Sequence, residues 1–299
     1  MCVTCGCGDS AGVRVRFPGV PGDGHQPSHE HPHEELHDHS HEQDPSHGHE
    51  HPHTGEPRSQ PIPAATRTID IEQELLAKND SLAEHNRGWL AEHGITAINL
   101  MSSPGSGKTS LLERTIREAG GKRTVCVIEG DQETLFDAER IRATGAAVIQ
   151  VNTGAGCHLD ADMLRRGIEA LAPPDGSLLL VENVGNLVCP ALFDLGEHAK
   201  VVILSVTEGV DKPLKYPHMF RASSLMILNK IDLLPYVDFD VDRCVDYARS
   251  VNSGIEVLQV SATSGKGLDG WYAWLRAKLL PRLRFGVEGE LDAIHGIGE

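Results

Sequence analysis

Two kinds of chemistry can be read from residue types and their spacing: phosphate binding and soft-metal ligation. The segment Ser102-Ser103-Pro104-Gly105-Ser106-Gly107-Lys108-Thr109 is a glycine-rich turn that closes on a lysine and a hydroxyl residue. Gly105 and Gly107 let backbone N–H groups, including that of Ser106, approach phosphate oxygens. A helix starting at the turn adds a favourable dipole. Lys108 would reach the β- and γ-phosphates, the Thr109 hydroxyl would bind Mg²⁺, and Ser110 would complete the cradle. The strict pattern opens with glycine, and Ser102 stands there instead.

A base-reading motif, Asn229-Lys230-Ile231-Asp232, follows a later apolar run. Asp232 can accept hydrogen bonds from the N1–H and the N2 amine of guanine. Adenine offers neither, so a buried carboxylate would be left unpaired at substantial cost. Ser261-Ala262-Thr263 follows the last apolar run, where the Ala262 N–H would meet guanine O6. Three motifs in this order select GTP and GDP over adenine nucleotides. Two acidic segments complete the expected catalytic set of Lys108, Thr109, Asp131, Glu182 and Gly185. Asp131, in Glu129-Gly130-Asp131, is expected in the Mg²⁺ shell, and Glu182 to Gly185 is expected to sense the γ-phosphate. The alternative for each carboxylate is a solvated loop residue. No arginine finger or water-positioning glutamine is recognisable, so turnover is expected to be slow.

The metal-ligating residues form three groups. Cys2, Cys5 and Cys7 place three thiols within six residues, suited to Ni²⁺ in a planar site or Zn²⁺ in a tetrahedral one. Cys157-His158 and Cys189 both follow strands that end at the expected nucleotide edge, so a metal there would respond to the nucleotide. The alternative for Cys189 is a core residue beside Pro190. Eleven of the 17 histidines lie between His25 and His53. That tract has the composition of a metal reservoir, the alternative being an inert solubilising tail.

The elements that must position these residues follow from periodicity. Residues 1–66 contain too little apolar surface to offset their ordering entropy and are expected to be disordered. A helical period starts near Thr68 and runs to His93, with Gly94 as its stop. Apolar runs then alternate with helical segments from Ala97-Ile98-Asn99-Leu100-Met101 to Ile255–Val260. Continuous apolar runs suit strands buried on both faces. The expected fold is therefore α/β, a mostly parallel sheet with helices on both faces. The expected division is a metal-binding segment over 1–66, a nucleotide domain over 67–284 and a tail over 285–299. The net charge of −16 argues against a nucleic-acid binder. No apolar run of about 18 residues is present, so no membrane span is expected. With no secretory signal visible, the chain reads as cytoplasmic, a reducing setting in which cysteines favour metals over disulfides.

Taken together these segments resemble the HypB family of hydrogenase nickel-incorporation GTPases. The resemblance is carried by Cys-x-x-Cys-Gly-Cys, Leu76-Ala77-Lys78-Asn79-Asp80, the phosphate loop, Glu129-Gly130-Asp131-Gln132, Asn152-Thr153-Gly154 with Cys157-His158-Leu159, and Glu182–Pro190. It implies a SIMIBI-class P-loop GTPase that delivers nickel during maturation of nickel–iron hydrogenase and dimerises with GTP bound. The family tolerates a residue other than glycine at the start of the phosphate loop. Cys157, His158 and Cys189 match the family's interface metal site, and Cys2, Cys5 and Cys7 its high-affinity nickel site. The implied partners are a HypA-type nickel/zinc chaperone, SlyD, and the hydrogenase large subunit or its maturation complex. Two other readings compete: a nickel or zinc GTPase serving urease, and a protein that mainly stores nickel.

Overall fold

The apolar runs become strands of one sheet. The structure is a computed structural model that describes residues 14–16, 64–119, 124–131, 136–154 and 156–279. The expected ligands Cys2, Cys5 and Cys7, the histidine tract and the 285–299 tail lie outside the described residues. The strands are β1 (Arg14–Arg16), β2 (Thr96–Ser102), β3 (Val125–Asp131), β4 (Ala147–Asn152), β5 (Leu178–Gly185), β6 (Ala199–Ser205), β7 (Leu225–Asn229) and β8 (Glu256–Gln259). Their order across the sheet is β1-β4-β3-β5-β2-β6-β7-β8. All neighbours are parallel except β1, which lies antiparallel to β4 with Arg14 opposite Asn152. The sequence reading places no strand at β1, because a three-residue run carries no legible period.

The helices are α1 (Ala64–Glu92), α2 (Lys108–Ala119), α3 (Phe136–Arg142), α4 (Ala161–Leu171), α5 (Lys212–Lys215), α6 (Pro217–Ala222), α7 (Val241–Val251) and α8 (Leu268–Leu279). They cover both faces of the sheet, which is why every residue of β2 is buried. Alternation along β2 sorts its side chains between the layers. Ile98 and Leu100 pack with Leu111 and Leu112 of α2 and Trp271 of α8. Ala97 joins Leu90 of α1 and Leu164 of α4, while Met101 joins Met219, Phe220 and Cys244. Each aliphatic side chain buried this way contributes about 1.5–3 kcal/mol. Cys126 and Cys244 are core residues, as expected. Among the described residues no helix is long and apolar enough to cross a membrane.

Helix α1 starts ahead of the expected Thr68 and stops at Gly94, where the Ile95 N–H bonds back to the Leu90 carbonyl at 2.9 Å. It does more than cover the sheet. Asn79 accepts from the Ala161 N–H (2.9 Å) and donates to the Asp194 carbonyl (2.8 Å). Asn86 donates to the carbonyls of Ala161 (2.8 Å) and Leu195 (3.0 Å). The helix thereby braces the ends of two loops, one carrying Cys157-His158 and the other following Cys189. Because β2, β3, β5 and β7 are parallel, their carboxyl ends share one edge, where ligands of open α/β sheets bind.

Candidate nucleotide and metal site

Helix α2 opens at Lys108, directly after the glycine-rich turn, and the Leu111 N–H reaches the Gly107 carbonyl at 3.0 Å. Gly107 has φ +98°, and a Cβ there would come within 2.5 Å of Asn229 Nδ2. Both facts demand glycine. Asn229 Nδ2 donates to the Ser106 carbonyl at 2.9 Å, and Lys230 Nζ donates to the Gly105 carbonyl at 2.7 Å. Ser261 shapes the last turn: its hydroxyl accepts from the Ser264 N–H at 3.0 Å. The three nucleotide motifs are therefore joined side by side.

Two details add to the sequence reading. The Ala262 N–H, expected to meet guanine O6, donates to Asn229 Oδ1 at 3.1 Å, because the Asn229 carboxamide spans from the phosphate loop to this turn. Asp232, treated above as a buried carboxylate, is exposed at the start of a short 3₁₀ turn. The penalty for a mismatched base then applies only once a base covers it.

Beneath the phosphate loop the side chains are buried and charged. Lys108 Nζ donates to the Ser102 hydroxyl at 2.9 Å, so the residue that departs from the strict pattern supplies a partner for the lysine. Thr109 Oγ1 donates to Glu182 Oε1 at 2.7 Å. Ser110 Oγ accepts from Arg140 Nη2 at 3.3 Å. Gly185 lies against Pro104, whose backbone would be 3.2 Å from a Cβ added there. Asp131 ends β3 and is half-buried. Glu129, which sequence reasoning quoted but gave no role, faces Glu182 in strand register and is 2% exposed. Its signal was a carboxylate directly after the apolar run Val125–Ile128, still inside β3.

Among the described residues four buried side-chain oxygens lack a hydrogen-bond partner, and three of them are Ser106 Oγ, Glu129 Oε2 and Glu182 Oε2. Orphaned buried oxygens gathered at one place fit a site built for an absent ion and its ligands. Burial, then the neighbouring charges of Glu182, Asp137 and Asp131, push the Glu129 carboxyl up to about 9. Burial raises Glu182 to about 7, opposed by Lys108 and the Thr109 hydroxyl. Two buried carboxyls side by side fit a divalent cation, whose charge would offset their mutual repulsion.

The expected thiols and imidazole converge. Cys157, His158 and Cys189 bring their ligand atoms within 4.8 Å of one another. The two sulfurs are 2.8 Å apart, and Cys157 Sγ is 3.7 Å from His158 Nδ1. Cys189 is buried, as a core residue would be, yet it meets Cys157. Burial lowers His158 to about 4, so the ring is neutral and able to ligate at neutral pH. Its ring stacks on Phe193, with centroids 3.9 Å apart. Sequence reasoning missed Phe193, which carries no spacing signal. A cavity of about 340 Å³ is lined by Ser103 and Pro104 of the phosphate loop, by residues 184–188, and by Cys157. One wall thus serves both the phosphate loop and the thiols.

The sequence and the fold match known proteins. A family model described as CobW/HypB/UreG, nucleotide-binding domain, matches residues 96–259. The fold and site define a P-loop nucleotide-binding protein of that class. The hydrogenase maturation factor HypB of Azotobacter chroococcum mcd 1 is 57% identical over 223 residues, covering 75% of this chain and 73% of that protein. The crystal structure of HypB from Archaeoglobus fulgidus is similar with a TM-score of 0.64 at 41% identity, covering 68% of this chain and 99% of that one. The structure of HypB from Helicobacter pylori in complex with nickel has a TM-score of 0.64 at 34% identity, covering 72% of this chain and all of that one. The chain belongs to the HypB family of hydrogenase maturation factors.

Proposed function

We propose that this chain is a GTP-hydrolysing nickel metallochaperone for nickel–iron hydrogenase maturation, with the nucleotide timing metal hand-over. The observation that carries it is the shared wall: residues 184–188 line a cavity together with the phosphate loop and Cys157, and Cys189 comes next in the chain. The relatives' names and the nickel-bound neighbour support the cargo and the destination.

The residues divide by role. Backbone N–H groups of 105–109 and Lys108 hold the phosphates, with Ser110 beside them. Asp232 and Lys230 take the base, and Asn229, Ser261 and Ala262 fix the loops around it. Thr109 and Asp131 would hold Mg²⁺, beside Glu182, which bonds the Thr109 hydroxyl and keeps one buried oxygen without a partner. Bound Mg²⁺ would neutralise charge building up on the phosphate oxygens. Gly185, packed on Pro104, lets the β5 end follow the phosphate loop. Cys157, His158 and Cys189 ligate Ni²⁺ or Zn²⁺ as cargo, and Cys2, Cys5 and Cys7 supply a second site. The histidine tract stores nickel. GTP-bound dimerisation, a HypA-type chaperone, SlyD and the hydrogenase large subunit complete the cytoplasmic hand-over in this reading.

The test is a joint titration of purified protein with Ni²⁺ and with GTP or GDP, following metal affinity and oligomeric state. The reading expects different Ni²⁺ affinity in the two nucleotide states, and GTP hydrolysis lost in Lys108→Ala. Identical Ni²⁺ affinities in both states would overturn the coupling.

A further inference from the structure

The nucleotide-side strand ends and the metal-bearing loop meet at one residue. Leu159 follows His158 and is fully buried. Its N–H donates to Asn183 Oδ1 at 3.1 Å, and Asn183 follows Glu182 on β5. Its side chain covers Gly130, which lies between Glu129 and Asp131. A Cβ on Gly130 would stand 2.6 Å from Leu159 Cγ. The neighbour of a candidate metal ligand is therefore gripped through its backbone by one strand end and through its side chain by another.

Chemistry fixes the orientation of the Asn183 amide. Its Oδ1 also accepts from the Val184 N–H at 3.0 Å, and backbone N–H groups can only donate. Nδ2 then faces the Asn99 Oδ1 at 3.2 Å, and Asn99 Nδ2 donates to Glu197 Oε1 at 3.0 Å. Glu197 Oε2 accepts from the Leu195 N–H at 2.8 Å, two residues past the Phe193 ring that stacks on His158. The chain of hydrogen bonds thus leaves the metal loop at Leu159 and ends at Leu195, in the segment whose Phe193 stacks on His158. Successive strand residues point to opposite faces, so Glu182 and Asn183 are two sides of one strand end. A buried, hydrogen-bonded network of this kind rigidifies the groups it joins.

We infer that Asn183 and Leu159 are the positioning pair that turns a displacement of the β3 and β5 ends into a displacement of Cys157 and His158. The inference rests on the nucleotide-coupled metal reading above.

The test measures Ni²⁺ affinity in the full chain with Cys2, Cys5 and Cys7 changed to Ser, so that the thiolate-to-nickel absorption band reports Cys157 and Cys189. Affinities are compared with a non-hydrolysable GTP analogue and with GDP, each with Mg²⁺. The unaltered pair is expected to show a ratio of about fivefold or more between the states. Asn183→Ala is expected to bring the ratio to about one, while Ni²⁺ affinity in GDP stays within about threefold. Leu159→Val, which keeps the N–H but shortens the side chain over Gly130, is expected to at least halve the ratio. Should Asn183→Ala lose cooperative melting, Leu159→Val decides alone. A full ratio retained in the variants overturns the positioning role. A ratio of one already in the parent overturns the coupling itself, which separates the two failures.

Discussion

Lys108 rests its ammonium on the Ser102 hydroxyl, 2.9 Å away, with both residues buried. A hydrogen bond to a charged group is worth about 1.5–3 kcal/mol net. We expect phosphate to draw the lysine away from Ser102, at the cost of this bond. Ser102→Ala is therefore expected to lower the stability of the nucleotide-free protein by about 1–2 kcal/mol. GTP affinity is expected to rise by about three- to tenfold, read by fluorescence titration. Unchanged affinity would mean that the lysine keeps Ser102 while holding phosphate.

Asn229 joins the phosphate loop to the last turn through buried bonds to the Ser106 carbonyl and the Ala262 N–H. Asn229→Ala orphans both groups, at about 1–3 kcal/mol each. The melting temperature should fall by several degrees. Affinity for GTP and GDP should fall together by about tenfold or more, because neither bond involves the γ-phosphate. A selective loss of GTP alone would contradict this account.

Glu129 gives the ligand-free protein a pH signature. Its carboxyl is held at about 9, against 4.5 when free. Between those values the folded state carries a proton that the unfolded state lacks. Its contribution to stability is complete below 4.5 and is lost as pH rises towards 9. The expected slope is about −1.4 kcal/mol per pH unit across that window. Urea melts of wild type and Glu129→Gln from pH 6 to about 8.5 measure it. The Gln variant should lack this component, and parallel curves would remove Glu129 as its source.

Phe193 holds the His158 ring by stacking at 3.9 Å. Phe193→Leu keeps the site apolar but frees the ring to turn. Residues that orient a metal ligand typically affect affinity by about 10- to 100-fold, and the lower end is expected here. Competition with a chelator of known strength reads the change. Nucleotide affinity should stay put, and if it fell equally the stack would be serving the fold.

The parallel sheet was legible because its strands are long apolar runs, and the phosphate loop because its glycines and lysine have fixed spacing. The convergence of Cys157 and His158 with Cys189 was legible for a related reason: both segments follow strands of one sheet edge. What stayed hidden depends on side chains meeting across the fold. No spacing links Asn183 to Asn99 in sequence, and only their burial in adjacent strands brings the two carboxamides into hydrogen-bond contact. Burial likewise separates Glu129 from a solvated loop carboxylate. Asp232 shows the converse, a residue named by its motif whose exposure no motif reports.

The pairing of β1 has a mechanical meaning. Because β1 runs antiparallel to β4, Arg14 lies opposite Asn152, at the carboxyl end of β4 from which the chain proceeds to Cys157 and His158. Cys7 is seven residues upstream of Arg14. Such a tether extends at most about 25 Å. If Cys7 holds an ion as proposed above, covalent connection alone keeps that ion near the end of β4, and its effective concentration at the neighbouring loop would not depend on how dilute the protein is.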